Sequence, residues 1–192
     1  QPGQAWADAY RNFDVINPWA VGRFGSTYTS EGQYYLQNVL IPDMAETSAL
    51  GIKYMPVLWP GFSWNNLMRQ RGTVSPSNGI PRKCGAFFWQ QSVNALFSGA
   101  KTMFVAMFDE VDEGTAMMKM VSRAEDLPAG SNLLALDVDG CSLESDFYLR
   151  MTGALNNTLR TGGALSRDLP IQLRVGESLN GLDFTMGLPN PS

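Results

Sequence analysis

The chain has 192 residues, 44% of them hydrophobic and 17% charged, the balance of a single folded domain of ordinary size. Its net charge of −4 offers no basic face to nucleic acid, and no apolar run approaches the roughly 20 residues that would span a membrane. Histidine is absent, which excludes Ser-His-Asp and Cys-His catalysis and histidine-held zinc, so proton transfer falls to carboxylates, Tyr, Lys or Cys.

Asn12 to Ile16 reads as a short strand that Asn17-Pro18 breaks, because proline lacks a donor and pushes the residue before it out of the helical region. Trp19, Arg23 and Gly25 fall in the loop that follows. Ser30 to Leu50 has helical spacing, with Tyr34, Tyr35, Val39, Met44 and Leu50 as expected core contacts, Pro42 as an expected kink or break and Gly51 as the stop. Lys53 to Leu58 is a second strand interrupted by Pro56, and Trp59-Pro60-Gly61-Phe62-Ser63-Trp64 is a loop dense in aromatics. Residues 69–85 are polar and carry Gly and Pro, so they read as a long loop.

Ala86 to Ser98 reads as a helix ended by Gly99. Thr102 to Phe108 is the most strand-like segment, a continuous apolar run of the kind buried on both faces of a parallel sheet. Four acids follow within five residues, Asp109, Glu110, Asp112 and Glu113, then Gly114 and a run with helical character. Leu133 to Leu136 is a fourth strand candidate, Asp137 to Gly140 a turn, and Leu143 to Leu159 a helix. The methionines around the last strongly apolar strand, Met103, Met107, Met117, Met118 and Met120, read as core filler. Alternation of strand and helix at this spacing predicts four βα units around a parallel sheet, half of an eight-unit barrel that usually needs about 250 residues.

In βα folds, sites lie at the carboxyl ends of strands, and three loops qualify: 17–19, 59–64 and 109–113. Glu110 and Glu113 are three residues apart. On one helical face their Cβ atoms would be about 5–6 Å apart, compatible with the roughly 5–5.5 Å carboxyl separation of a retaining glycosidase. The same acids would also serve a solvated first helical turn with Asp109 as N-cap, and they supply the hard oxygens of a calcium site. Trp19, Trp59, Phe62 and Trp64 could stack on sugar faces or pack as core. Arg82 could orient a polar ligand or be a solvated loop charge. Cys84 and Cys141 are either one disulfide or two free thiols, and Asn156-Asn157-Thr158 is a glycosylation triplet.

Three stretches in order, Tyr54 to Phe62, Arg82 to Trp89 and Met107 to Thr115, resemble the carboxyl half of glycoside hydrolase family 99 and related family 71-like proteins. The resemblance covers roughly residues 12–160 and implies a (β/α)8 TIM-type barrel acting on glycans; no cofactor and no metal are expected. Family 99 members are retaining endo-α-mannosidases, and their Glu-Trp-His-Glu-Gly motif corresponds to Glu110-Val111-Asp112-Glu113-Gly114. By that correspondence Glu110 would deprotonate the sugar 2-hydroxyl to form a 1,2-anhydro intermediate. Glu113 would protonate the leaving oxygen and then activate water. Asp109, Trp19, Trp59, Phe62, Trp64 and Arg82 would contact substrate.

Val111 and Asp112 depart from the family's Trp and His, and Phe62 stands where Tyr is usual. The barrel half is expected over residues 1–165, with an irregular tail over 166–192. The remaining strands are expected from a partner chain or a cleaved precursor, or the chain is a fragment, in a secreted protein whose chain here begins at Gln1 rather than Met. The alternative expectation is a non-catalytic glycan-binding or structural subunit of an extracellular assembly; a metal-stabilised interaction domain is a third.

Overall fold

The computed structural model describes residues 3–25, 31–163 and 166–182. Its centre is a small parallel arrangement built from four two-residue strands: β1 (Val15–Ile16), β2 (Lys53–Tyr54), β3 (Val57–Leu58) and β4 (Phe104–Val105). β1 pairs with β2 and β3 with β4, both in parallel. Met55-Pro56 separates β2 from β3, so the predicted strand 53–58 forms in two pieces. Its first half bonds to one neighbour and its second to the other. The Pro56 carbonyl still accepts Phe104 N–H at 2.9 Å, so proline's missing donor divides the ladder without ending the strand direction.

Helices α1 (Gln4–Tyr10), α2 (Gln33–Tyr35), α3 (Ile41–Ala49), α4 (Asn65–Gln70), α5 (Ala86–Phe97) and α6 (Phe147–Thr161) surround these strands. A π-helical stretch, Leu36–Leu40, joins α2 to α3. The expected break at Pro42 does not occur. The helix runs through it: Pro42 lies just past the π-helical stretch Leu36–Leu40, where the bonding already departs from the regular i to i−4 ladder. The stop at Gly51 does form, with Gly51 left-handed at φ +71°. Ile52 N–H returns to Thr47 O at 2.9 Å and Gly51 N–H to Ser48 O at 3.1 Å. Of the expected core contacts on this helix, Tyr34 and Leu50 are exposed, whereas Leu36 and Leu40, one turn apart, are buried. The buried stripe lies on the face opposite Tyr34.

α5 is buried along ten consecutive residues, Ala86 to Ala95, because it is enclosed by β3 on one side and α6 on another. Gln91 on α5 acts as a substitute strand: its Oε1 accepts Trp59 N–H at 3.3 Å and its Nε2 donates to Trp59 O at 2.7 Å. α6 is amphipathic, with Phe147, Met151 and Leu155 at a four-residue spacing and Tyr148 beside them, all buried. Burying each of these side chains contributes about 2–3 kcal/mol.

Cys84 and Cys141 are disulfide-bonded, with Cα atoms 6.1 Å apart, closing a separation of 57 residues and tying the start of α5 to the loop before α6. Lys83, Cys84 and Gly85 are consecutive left-handed residues (φ 47°, 51° and 92°). The last must be glycine, because a Cβ there would stand 2.7 Å from Met151 Sδ and 2.8 Å from Phe147 Cε1 on α6.

Two other expectations fail. Leu133 to Leu136 forms no strand; its residues 134–136 are buried, but among the described residues the segment makes one long-range backbone bond, Leu136 N–H to Val121 O at 3.0 Å. Burial without a partner ladder gives an irregular run. The β4 run is not buried on both faces: Phe104 and Phe108 are exposed, because β4 is bonded to a neighbour on one side only among the described residues. Described residues 166–182 have no helix or strand, but they are tied down. Ser178 pairs with Ser142, Trp89 Nε1 donates to Ser166 O at 3.1 Å, and Glu177 is clasped by Arg150.

Candidate functional site

Of the three stretches singled out in the sequence, 59–64 and 109–113 bond directly to each other at the carboxyl ends of β3 and β4, and the loop that begins with 17–19 reaches Phe62 only through Gly22. Gly22, in the loop after β1, is packed on the Phe62 ring; a Cβ on Gly22 would lie 3.6 Å from it. Ser63 N–H, in the loop after β3, donates to Glu113 O at 2.7 Å in the loop after β4. From α4, Asn66 Nδ2 reaches Asp112 O at 3.5 Å and Gln70 Nε2 reaches Asp112 Oδ2 at 3.4 Å.

The acidic stretch is not the start of a helix. It is a closed loop whose base is held by Met107 N–H to Thr115 O at 3.2 Å and Met117 N–H to Met107 O at 3.0 Å. Residues 111–114 form a turn, and Gly114 is left-handed at φ +69°. The run after Gly114 stays irregular rather than helical, because Met117 and Met118 N–H bond back to residues 107 and 108 and Met120 N–H to Ser145 O, not to carbonyls four residues earlier. Asp109 therefore caps no helix; it is exposed.

Glu110 takes the capping role inside the turn. Its Oε1 accepts Asp112 N–H at 2.8 Å and Glu113 N–H at 3.3 Å. Thr115 N–H in turn donates to Glu110 O at 3.1 Å. Glu113 is half-buried, and its carboxyl is held above the usual carboxylate range, first by burial and then by the negative charges of Glu110 and Asp112. The two carboxyls thus have unequal surroundings: one is anchored on backbone donors, the other is pushed towards its protonated form.

Arg82 is buried and bonds the exit of the acidic turn: its Nη2 donates to Gly114 O and Ala116 O, both at 2.9 Å, just past that turn. Its Nε and Nη1 are buried without a hydrogen-bond partner among the described residues. Its guanidinium lies 4.7 Å from the centre of the Tyr148 ring. Arg82 thereby fixes the exit of the loop that carries the acids.

The aromatics divide. Trp59 is 0% exposed and Phe62 is buried in the same core cluster with Val57, Phe87 and Ala106. Trp19, at 50% exposure, and Trp64 reach the surface, with Trp64 packed edge-on to Phe62 at 4.7 Å. Groups that sequence reasoning passed over are Ser63 and Asn66, which hold the acidic turn through its backbone carbonyls, and Gln70, which reaches the Asp112 carboxylate. Such contacts leave no signature in residue type, and only the helical spacing of Asn66 and Gln70 hinted that they share a face.

No cluster of three metal-ligating side chains forms among the described residues, and no helix among them is long and apolar enough to cross a membrane.

No family model matches the chain, and no curated protein matches it. Among solved structures it is similar to the GH99 endo-α-mannosidase of Bacteroides thetaiotaomicron in complex with BIS-TRIS-propane, at a TM-score of 0.56 and 20% identity, covering 78% of this chain and 41% of that one. A second structure of a GH99 endo-α-mannosidase from the same organism matches at a TM-score of 0.53 and 20% identity, covering 77% of this chain and 39% of that one. The chain spans about two fifths of the length of the solved structures it matches. At this identity the likeness concerns the fold, and the fold of this chain is like part of a GH99 endo-α-mannosidase.

Proposed function

We propose that the chain is part of a glycoside hydrolase-like (β/α)8 barrel, supplying about four βα units, and that Glu110 and Glu113 are its catalytic carboxylates. The observation that carries this reading is the asymmetry of the pair on a closed loop at the carboxyl end of β4. Retention through a 1,2-anhydro sugar needs one carboxyl to accept the 2-hydroxyl proton and the other to give one to the leaving oxygen.

Glu110, with Oε1 on two backbone donors, presents its remaining oxygen to the sugar 2-hydroxyl and takes its proton. The 2-oxygen then closes on the anomeric carbon as the glycosidic bond breaks. Glu113, raised towards protonation, gives its proton to the leaving oxygen. It then takes a proton from the water that opens the 1,2-anhydro sugar, whose 2-oxygen recovers a proton from Glu110. An α-mannoside is the first substrate to test, because the solved structures that the fold resembles are endo-α-mannosidases.

The remaining strands of the barrel come, in this reading, from another polypeptide segment. β1 and β4 each bond on one side only among the described residues and carry exposed Val15 and Phe104, with exposed Phe108 just past β4, an apolar margin that a neighbouring strand would cover. A secreted location accords with the Cys84–Cys141 disulfide, since such bonds persist in oxidising compartments.

A second reading, glycan binding without cleavage, has its own support. Trp59 and Phe62 are buried and Arg82 is engaged with backbone carbonyls, which leaves fewer ligand-facing groups around the acids than the motif order implied. The deciding measurement is release of reducing ends from α-mannan by the assembled protein and by Glu113→Gln. Loss of release in the variant supports catalysis; equal release removes Glu113 from the mechanism. Binding of α-mannan with no release by either protein selects the second reading.

A further inference from the structure

Arg82, Asn78 and Asp139 hold four buried polar atoms with no hydrogen-bond partner among the described residues: Arg82 Nε and Nη1, Asn78 Oδ1 and Asp139 Oδ2. The first two are donors and the last two acceptors. We infer that these atoms close on one ordered internal water molecule, and that through it Asp139 acts as a positioning residue that braces the acidic turn.

Several contacts bring the three side chains together. Asn78 Nδ2 donates to Asp139 Oδ1 at 2.8 Å, so the two free oxygens belong to one joined pair. Asp139 stands two residues before Cys141 and Arg82 two residues before Cys84, and the disulfide holds those cysteines with Cα atoms 6.1 Å apart. The Tyr148 ring lies against the guanidinium at 4.7 Å. Burial pushes the Tyr148 hydroxyl up to about 12; Arg82 draws it down and Asp139 pushes it up, so both charges stand near that ring. Yet Arg82 Nε and Nη1 and Asp139 Oδ2 are not bonded to each other.

A guanidinium and a carboxylate that are close, buried and out of contact call for a third group between them, because an unpaired buried charge is costly. Water offers two protons and two lone pairs, the complement of two acceptors and two donors, and internal waters settle where two to four such partners converge. A cation there would meet the guanidinium and an anion the carboxylate, so neither ion fits.

Two routes lead from this cluster to the acidic turn. Asn78 N–H donates to Ser63 Oγ at 3.3 Å, and Ser63 N–H donates to Glu113 O at 2.7 Å. Arg82 Nη2 holds Gly114 O and Ala116 O. Asp139 joins the two routes, one directly through Asn78 and the other through the water, so the last acid and the residues after it are braced together. The bracing acts on the loop whether or not its acids cleave a glycan.

The test pairs a high-resolution crystal structure of the wild-type protein with amide exchange in Asp139→Ala and Asp139→Asn. The expected density is one water peak within about 3.2 Å of Asp139 Oδ2 and of Arg82 Nε or Nη1. A direct Arg82–Asp139 bond, or no solvent peak between them, overturns the inference. Exchange at Gly114 and Thr115 should rise about tenfold in Asp139→Ala, the factor that loss of one hydrogen bond to a charged group brings. The Ile52 amide, bonded to Thr47 O at the α3 stop, should exchange as in wild type. Asp139→Asn keeps an acceptor oxygen and should restore most of the protection. Equal acceleration at all three amides shows a loss of overall stability, and no acceleration shows a turn that holds itself; either removes Asp139 from the positioning role. The catalytic reading fails separately: undiminished cleavage by Glu113→Gln removes it and leaves the water and the exchange pattern as they are.

Discussion

Glu110 folds its carboxylate back onto the backbone N–H of Glu113 at 3.3 Å, so one acid sets the position of the other. The turn they share is held from outside by Ser63 and Arg82 and from below by the Met107–Thr115 bond. Preorganisation of this kind lets a loop hold two like charges close together.

The first prediction follows from the charge on Glu113. Its carboxyl is raised by burial, then by Glu110 and Asp112. Asp112→Asn removes one of those charges and should lower the apparent pKa of Glu113 while keeping the turn, read by carboxyl NMR titration. The linkage sign follows from the same shift. A carboxyl raised in the folded state is compatible with full stability below its unfolded pKa and loses stability as pH rises through its folded pKa. Glu113→Gln should therefore be more stable than wild type at neutral pH. The difference should vanish in acid, below the ordinary glutamate range, as measured by thermal unfolding across pH. A variant less stable than wild type at neutral pH would contradict it.

Arg82 is the second target. It is buried, makes two hydrogen bonds to carbonyls past the acidic turn and lies over Tyr148. Charge-assisted hydrogen bonds contribute about 1.5–3 kcal/mol each. Arg82→Met, which keeps the volume, should cost about 3–6 kcal/mol in denaturant unfolding and should increase amide exchange at Gly114 and Thr115. An exchange pattern identical to wild type would show that the turn holds itself.

Gly114 should resist substitution. It is left-handed at φ +69°, and a Cβ would meet Leu134 Cδ1 at 2.9 Å. Gly114→Ala adds strain of about 1–2 kcal/mol as well as that contact, so unfolding should occur at distinctly lower denaturant. Gly72, equally left-handed but with open space around it, should tolerate Ala with only the backbone cost.

The disulfide supplies a fourth measurement. Closing a separation of 57 residues removes chain entropy from the unfolded state, about 4 kcal/mol in the loop-closure account. Replacing both Cys84 and Cys141 by Ala should cost an amount of that order in urea unfolding. Dithiothreitol should then have no further effect on the variant, although it destabilises the wild type.

The described tail is predicted to depend on one carboxylate. Glu177, with a side chain 1% exposed, is paired with Arg150 and accepts Arg174 N–H at 2.7 Å and Glu144 N–H at 3.0 Å. Glu177→Ala leaves Arg150 without this partner and should cost about 3–5 kcal/mol. Limited trypsin digestion should then cut at Arg167 or Arg174 faster than in wild type.

Much of the backbone order is written in local chemistry. Hydrophobic period placed the helices near 33–49 and 86–97, and glycine placed the stop at Gly51, because helix periodicity and left-handed caps depend on neighbours a turn away. The loop of acids at the end of the most apolar strand was visible for the same reason. By contrast, α1 and α4 were missed, since each is under two full turns and too short to show a period.

What only the tertiary structure decided is which face each side chain meets. Trp59 and Trp19 are the same residue type in similar aromatic loops, yet one is enclosed by Phe24 and Phe87 and the other borders water, because burial depends on elements far away in sequence. Arg82 reads as a free loop charge until Gly114 and Ala116, more than thirty residues on, present their carbonyls to it. The Cys84–Cys141 bond and the irregular path of Leu133 to Leu136 are of the same kind. Residue type and spacing determine what a segment is able to do; long-range packing, which carries most of the burial free energy, selects which of those abilities the protein uses.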